Sequence, residues 1–293
     1  MLSLHTNAAA LSSQNAVGNT QKSLTTSLTR LGTGYRVNSA MDDAAGLQIA
    51  TRLDAQTRGM AVAQRNTQNG ISMMQTAEGA FSEMTNVLLR MKDLATEAYN
   101  ASSTTDDVAA LQAEFDALGL ALSNIFRTTS FGGQRLFSDG TNTDGTGGLL
   151  STAITFQIGA SADETMDVDT ETSLGDLATA LADVSANYAG FATPSDGTEL
   201  TGDNGIITTI NDALTEVGTV RAQLGAASNR LEHVYNNLGN MIQNTTASKG
   251  RIMDVDYALE TSNSTSKQLL LQAGTSALKQ SSSLSQLVMS LMQ

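Results

Sequence analysis

Residues 31–53 read LGTGYRVNSAMDDAAGLQIATRL, and the reading of this stretch decides the rest of the chain. It separates two helix-prone segments and has the composition of neither a helix interior nor a flexible linker. Gly32 and Gly34 interrupt the apolar spacing that precedes them. Tyr35, Arg36 and Val37 form a short extended patch. Asn38 and Ser39 are cap-forming residues. Asp42 and Asp43 stand at the start of the next helix, where free N–H groups and the helix dipole favour a carboxylate. The stretch is expected to be a joint that makes specific contacts or, at its plainest, an ordinary helix N-terminus. Two chemical readings fit poorly. Gly32-x-Gly34 has no strand before it and lacks the third glycine of a dinucleotide loop. Adjacent carboxylates on a helix point about 100° apart and lack the oxygen-rich loop that calcium requires.

Outward from the joint the chain is helical on both sides. Towards the N-terminus, Leu4, Leu11, Val17, Leu24, Leu28 and Leu31 have the sevenfold spacings of a narrow seam. Towards the C-terminus, a long helix is expected from Ala44 to about Asn100. Its stripe is Ile71, Met74, Ala77, Phe81, Met84, Leu88, Met91, Leu94 and Ala98. Ser102 to Thr105 breaks it. Asp106 and Asp107 open a further helix, where Val108, Leu111, Phe115, Leu118, Leu122 and Ile125 alternate steps of three and four. A short polar turn between two such helices makes them antiparallel.

The helical pattern stops at Phe131-Gly132-Gly133, and residues 138–148 read as loop. Ile154, Phe156 and Ile158 alternate with polar residues, as do Met166 and Val168, which predicts a hairpin around Gly159 to Glu164. Leu174 to Tyr188 reads as a short helix and 189–205 as a second loop. A long helix follows from about Ile206 to Ala247, with a seam of Ile207, Ile210, Leu214, Val217, Arg221, Leu224, Ser228, Leu231, Tyr235, Leu238, Ile242 and Thr245. After a break at Lys249 to Asp256, a last helix carries Leu270, Ala273, Ala277, Leu284, Leu287 and Leu291. The expected fold is mainly α: a long, coiled-coil-like antiparallel helical bundle with a small β-hairpin insert, the chain turning back at the insert so that its two ends lie side by side.

Charge is distributed unevenly along this pattern. The net charge is −13, which argues against nucleic acid as a partner. No Lys or Arg falls between Arg135 and Arg221, so the middle reads as a solvated acidic surface. The ends are nearly uncharged: Lys22 alone in residues 1–29, and Glu260, Lys267 and Lys279 from Tyr257 onward. Such helices look made to be covered. Ordering about thirty residues at each end costs more than a few leucines return on burial, so the ends are expected to order only against neighbouring copies. No apolar run is long enough for a membrane span, and no cleavable signal peptide is recognisable.

Little in the sequence points to catalysis. There is no Cys, and the two His, His5 and His233, lack the HExxH spacing of a zinc protease. No G-x-S-x-G or phosphate-binding loop occurs. Asp42/Asp43, Asp106/Asp107 and Asp163/Glu164 sit where helix starts and turns already explain carboxylates. Met73, Met74, Met84 and Met91 read as adaptable core. No catalytic residue, metal or cofactor is expected.

Several stretches also resemble one family. Arg36 to Gly46 reads R-x-N-S-A-x-D-D-A-A-G after a leucine-rich helix and a glycine turn, which is similar to the N-terminal signature of bacterial flagellins. NTQNGISMMQTAEGAF from Asn66 and FGGQRLF from Phe131 resemble the same family. So do LGAASNRLEHVYNNLGN from Leu224, RIMDVDYALETSNSTSKQLLLQAGTSALKQ from Arg251, and the ITFQIGA hairpin from Ile154. The resemblance implies a filament subunit for bacterial motility that works outside the cell. Residues 1–33 and 257–293 would form the inner terminal domain, 34–44 and 249–256 the joint, and 45–136 with 206–248 the helical core domain. Residues 137–205 would carry the hairpin and short outer loops. It further implies self-polymerisation, type III export, an export chaperone on the C-terminal segment, and filament cap and hook-associated proteins as neighbours. Toll-like receptor 5 would recognise Arg90, Leu94 and Glu114. Subunit contacts are expected at Leu24, Leu28, Leu31, Arg36, Asp42, Asp43, Arg52, Leu284, Leu287 and Leu291. Rival readings are a hook–filament junction protein of the same export family, a flagellin carrying a protease, and a coiled-coil binding module.

Overall fold

The computed structural model describes residues 7–194, 196–201 and 204–291, with side chains as far as residue 283. Leu4 and His5 lie outside the described residues, and the side chains of Leu284, Leu287 and Leu291 do too. The chain divides into two compact units, one of residues 1–57 with 243–293 and one of residues 58–242.

The first unit contains the helix pair α1 (Ala8–Thr33) and α7 (Tyr257–Leu291). Asn7 caps α1 by accepting the Ala10 N–H at 3.0 Å. Gly34 ends the helix at φ 76°, a left-handed geometry suited to glycine, and donates its N–H to Arg30 O. The pair is antiparallel. The Asn7 amide donates to Ser281 O at 3.1 Å, Lys267 Nζ donates to Ser27 Oγ at 2.7 Å, and the Tyr257 hydroxyl lies over Gly34. A Cβ on Gly274 would come 2.7 Å from Val17, so the helices approach closely there.

The seam of this pair differs from the apolar spacing. On α7 the covered or half-covered positions are Glu260, Ser264, Lys267, Leu271, Gly274 and Leu278, in steps of four and three. Leu270, Ala273 and Ala277, expected on the seam, are exposed. On α1, Val17, Leu24 and Leu31 do face the seam, with Ser13, Thr20 and buried Ser27 between them, whereas Leu11 and Leu28 are exposed. Small and polar side chains occupy the seam because the two helices pack too closely to hold leucine at every level.

In the second unit, α2 (Ala44–Ala98) continues out of the first unit and packs with α3 (Thr105–Thr128) and α6 (Gly205–Met253). Every residue of the expected α2 stripe from Met74 to Ala98 is buried. A capping box starts α3: Asp107 N–H donates to the Thr104 hydroxyl, and the Asp107 carboxylate accepts the Thr104 N–H at 2.9 Å. The Thr104 hydroxyl and N–H hold the Asp107 carboxyl below its usual value. On α6 the buried positions are Ile210, Ala213, Val217, Val220, Leu224, Ala227, Leu231 and Leu238. The expected phase therefore holds at every seventh residue and fails between them, where Ala213, Val220 and Ala227 replace Leu214, Arg221 and Ser228. Arg221 lies on the flank and pairs with Glu78 of α2 at 2.8 Å. The end expected for α6 near Ala247 extends to Met253, so residues 249–253 are helical.

A miniature hairpin of β1 (Ser130–Phe131) and β2 (Gln134–Arg135) turns at Gly132-Gly133, where the sequence suggests only the end of a helix. The expected hairpin is present as β3 (Ile154–Gln157) against β4 (Thr165–Val168), antiparallel, with Phe156 opposite Met166. It lies against α2: a Cβ on Gly70 would meet the Phe156 ring at 2.9 Å and Leu231 at 3.2 Å, so only glycine permits the approach. α4 (Glu171–Val184) and α5 (Ala186–Ala189) add Leu174, Leu177, Leu181, Val184 and Tyr188 to the core. Phe81, Phe137, Phe126 and Tyr188 form a chain of rings with successive centroids 4.6, 5.5 and 5.9 Å apart. Burial, and then the nearby Asp144 carboxylate, push the Tyr188 phenol well above its usual value, and its hydroxyl donates to Thr143 O at 2.9 Å. The acidic residues from 136 to 196 are all exposed.

Candidate functional site

The joint is built by local capping chemistry. Asp42 folds back on the chain before it. Its Oδ2 accepts the N–H groups of Asn38 and Ser39, at 3.1 and 3.0 Å, and the Ser39 hydroxyl at 3.2 Å. Asp42 N–H in turn donates to Ser39 O at 3.1 Å, closing a tight turn with Ala40 and Met41 at its corner. Asp43 begins α2 by accepting the Gly46 N–H at 2.8 Å. Asn38 donates its side-chain amide to Tyr35 O at 2.8 Å. Thus the two carboxylates, adjacent in sequence, hold opposite sides of one chain reversal.

The joint is tied to the return limb through backbone. Arg36 N–H donates to Met253 O, Val255 N–H donates to Gly34 O at 3.0 Å, and the Arg36 guanidinium donates to Ile252 O at 2.9 Å. Tyr35 and Asp254 form an antiparallel bridge. Val37, two residues on from Tyr35, is buried. Lys249 and Asp54 add an ion pair between α6 and α2 within this unit. Of the contact residues expected from sequence, Arg36 meets the return limb, while Asp42 and Asp43 bind their own turn. Asp42 also faces Arg30 at 3.7 Å. Arg52 is exposed and without a partner among the described residues. Leu24 is buried, Leu31 half-buried, and Leu28 remains 50% exposed.

Hydrogen bonds from Asn38 N–H, then from Ser39, hold the Asp42 carboxyl below its ordinary value of 3.8, and Arg30 contributes in the same sense. A carboxyl depressed in the fold binds its proton more weakly there than in the unfolded chain. The turn is therefore fully held above pH 3.8 and loosens as pH falls through the depressed value. Asp42→Ala should loosen it at neutral pH. Hydrogen exchange at Asn38 and Ser39 is expected to quicken by on the order of tenfold, with helix content unchanged by circular dichroism. Unchanged exchange would show that the carboxylate does not hold the turn.

In the second unit, Arg90 on α2 and Glu114 on α3 meet as expected, Nη2 to Oε1 at 2.7 Å and Nε to Oε1 at 2.8 Å. Both are about half exposed. Leu94 does not share that surface. It is fully buried, as is Leu88, and the exposed apolar neighbour is Leu89. One helical turn separates Arg90 from Leu94, but the α2 stripe runs through 84, 88, 91 and 94, which turns Leu94 into the core.

Elsewhere, a cavity of about 340 Å³ is lined by Asn142, Thr143, Asp144, Thr179, Asp183 and Phe191. Among the described residues no cluster of His, Cys, Asp or Glu could hold a metal ion, and no helix is long and apolar enough to cross a membrane. Residues that sequence reasoning missed are Glu260, Lys267 and Tyr257 on α7. They appear as lone polar or aromatic residues in a helix, and only the register of the pair reveals them.

Residues 4–143 match the family model of the bacterial flagellin N-terminal helical region, and residues 207–292 that of the bacterial flagellin C-terminal helical region. The chain is 46% identical over 172 residues to the B-type flagellin of Pseudomonas aeruginosa, which covers 59% of this chain and 33% of that one. It is 42% identical over 175 residues to polar flagellin B/D of Vibrio parahaemolyticus, covering 60% of this chain and 44% of that one. It thus spans less than half the length of these curated relatives. In fold, it is similar to the solved structure of a putative flagellar hook-associated protein from Vibrio parahaemolyticus, with a TM-score of 0.54 and 17% identity over 73% of this chain and all of that one. The two family models frame the joint, both terminal helices and the long core helices, and the chain belongs to the bacterial flagellin family.

Proposed function

We propose that this chain is a structural subunit that polymerises into the filament of a bacterial flagellum, outside the cell, for swimming or swarming. Flagellins are structural proteins, not enzymes. The observation that carries the proposal is the α1–α7 pair. It covers a narrow seam in which small and polar residues alternate with Val17, Leu24, Leu31, Leu271 and Leu278, and it leaves Leu11, Leu28, Leu259, Leu269 and Leu270 exposed on nearly uncharged helices. These leucines stand among small, uncharged polar residues on the outer side of the pair, and a second copy of the same pair can cover them without charge repulsion.

In this reading residues 1–33 and 257–293 form the innermost domain, and 45–136 with 206–248 the helical core domain. Residues 34–44 and 249–256 connect them, and 137–205 face outward. The terminal helices order on assembly, so limited proteolysis of dilute monomer should remove them, and assembled subunits should resist. An export chaperone would hold the C-terminal segment beforehand, and the filament cap and hook-associated proteins would be its neighbours at the two ends. The test is seeding purified chain on filament fragments followed by negative-stain microscopy. Long filaments are expected. A chain that binds seeds without extending them would instead be a hook–filament junction protein, the second reading.

Recognition of the monomer by Toll-like receptor 5 belongs to the same proposal. Its supporting feature is the half-exposed Arg90–Glu114 pair beside exposed Leu89, with Leu94 supporting the helix from within. Arg90→Ala/Glu114→Ala should reduce receptor signalling by about tenfold or more, as loss of an interface arginine does. The same change should cost the monomer no more than about 1 kcal/mol, as expected of an exposed ion pair. Undiminished signalling would remove the pair from the receptor surface.

A further inference from the structure

Met41 occupies the corner of the Ser39–Asp42 turn and is 97% exposed. Corners of tight turns ordinarily carry Gly, Asn, Asp, Ser or Pro, because their side chains are solvated and their backbones bend. Here a long apolar thioether stands there instead. The backbone beneath it is fixed on both sides, by the Asp42 carboxylate accepting from Asn38 and Ser39 and by the Asp43 carboxylate accepting from Gly46. The fixed backbone of the turn presents Met41 to solvent. Large apolar residues of the same unit, Tyr35, Ile49, Tyr257 and Leu259, are also exposed. The other described methionines differ: Met60, Met73, Met74, Met84, Met91 and Met166 are buried, and Met241 and Met253 are half-buried.

We infer that Met41 is an oxidation-sensitive contact with a second copy of this chain, and that its sulfur gates addition of the subunit to the growing polymer. The inference rests on the proposed filament function. In the free subunit the thioether lies open to peroxides. A sulfur lone pair attacks one peroxide oxygen, the O–O bond breaks, the sulfur becomes a sulfoxide, and the second oxygen leaves as water. Sulfur is oxidised by two electrons and the peroxide is reduced by two. The product is polar and chiral, and burying it against an apolar partner is unfavourable without a hydrogen bond. A thiol-dependent sulfoxide reductase reverses the step. In the assembled polymer the partner copy covers Met41 and shields it. The mark is thus written on free subunits and excludes them until it is reduced.

The test uses the full chain. Monomer is treated with limiting hydrogen peroxide until about half of Met41 is oxidised, seeded with filament fragments, and separated into filaments and supernatant. Peptide mass spectrometry then reads sulfoxide at each methionine. Met41 should oxidise about tenfold or more faster than the buried methionines, and its sulfoxide should be depleted about tenfold in filaments relative to supernatant. Treatment with methionine sulfoxide reductase should restore incorporation, and Met41→Leu should incorporate equally before and after peroxide. Equal Met41 sulfoxide in the two fractions would overturn the inference, as would peroxide-blocked growth of Met41→Leu. Failure of untreated chain to extend seeds is a separate outcome, which removes the filament function itself and this gate with it.

Discussion

Leu269→Glu/Leu270→Glu subunits are expected to stop extending filament seeds while their monomers keep the helix content of the unaltered chain. Both leucines are 61% exposed, because the α7 seam passes through Lys267, Leu271 and Gly274 and turns them away from α1. Among the described residues, most of their apolar surface has no partner within the first unit. If neighbouring copies cover it, each leucine contributes about 1.5–3 kcal/mol to the assembly. Each glutamate would in addition have to be desolvated in a segment that otherwise carries only Glu260 as an acid. The two changes together should raise the concentration needed for elongation by at least about a hundredfold. Sedimentation of seeded samples over a concentration series measures this. Elongation at the ordinary concentration would show that this face of α7 is not an assembly surface.

The largest effect on stability is expected from Phe137→Ala. Phe137 is fully buried between Phe81 of α2 and Phe126 of α3, and Phe126 continues edge-on to Tyr188. Removing the middle ring leaves a cavity that the long helices cannot close, since α2 and α3 are fixed along their whole stripes. The cost should be about 3–5 kcal/mol, read as a lower midpoint in urea with little change in slope. Phe137→Leu should recover much of it. A cost under about 1 kcal/mol would mean that the rings are not the keystone of this core.

Much of the fold is legible in the sequence where large side chains mark a face. Phe81, Met84, Leu88 and Met91 leave one choice for the buried side of α2. The phase of α6 is harder, because Ala213 and Ala227 lie on the seam while Leu214 lies beside it, and hydrophobic counting favours the larger residue. α7 is the extreme case. Its seam contains Glu260, Ser264, Lys267 and Gly274, and a search for apolar spacing selects Leu270 on the exposed side. The joint is legible because its chemistry is local: Asn38, Ser39, Asp42 and Asp43 cap and turn within a few residues. The pairing of Arg90 with Glu114 depends on the register of two helices and follows only from the family resemblance, which places Leu94 beside Arg90 although the α2 stripe buries it. The miniature hairpin at Gly132-Gly133 is too short to show any alternation.

The seam between α1 and α7 also works as an index. Lys267 fits where it meets Ser27, and Gly274 fits where it meets Val17. Sliding α7 by one heptad in either direction would take Gly274 away from Val17 and bring Lys267 or Ser281 there instead. Either shift also parts the Lys267 ammonium from the Ser27 hydroxyl and loses the glycine notch. A seam of leucines alone would hold more strongly and would tolerate several alignments, whereas this one gives up adhesion for a single stop position. In the proposed filament, where many copies would repeat one geometry, that stop matters more than the strength.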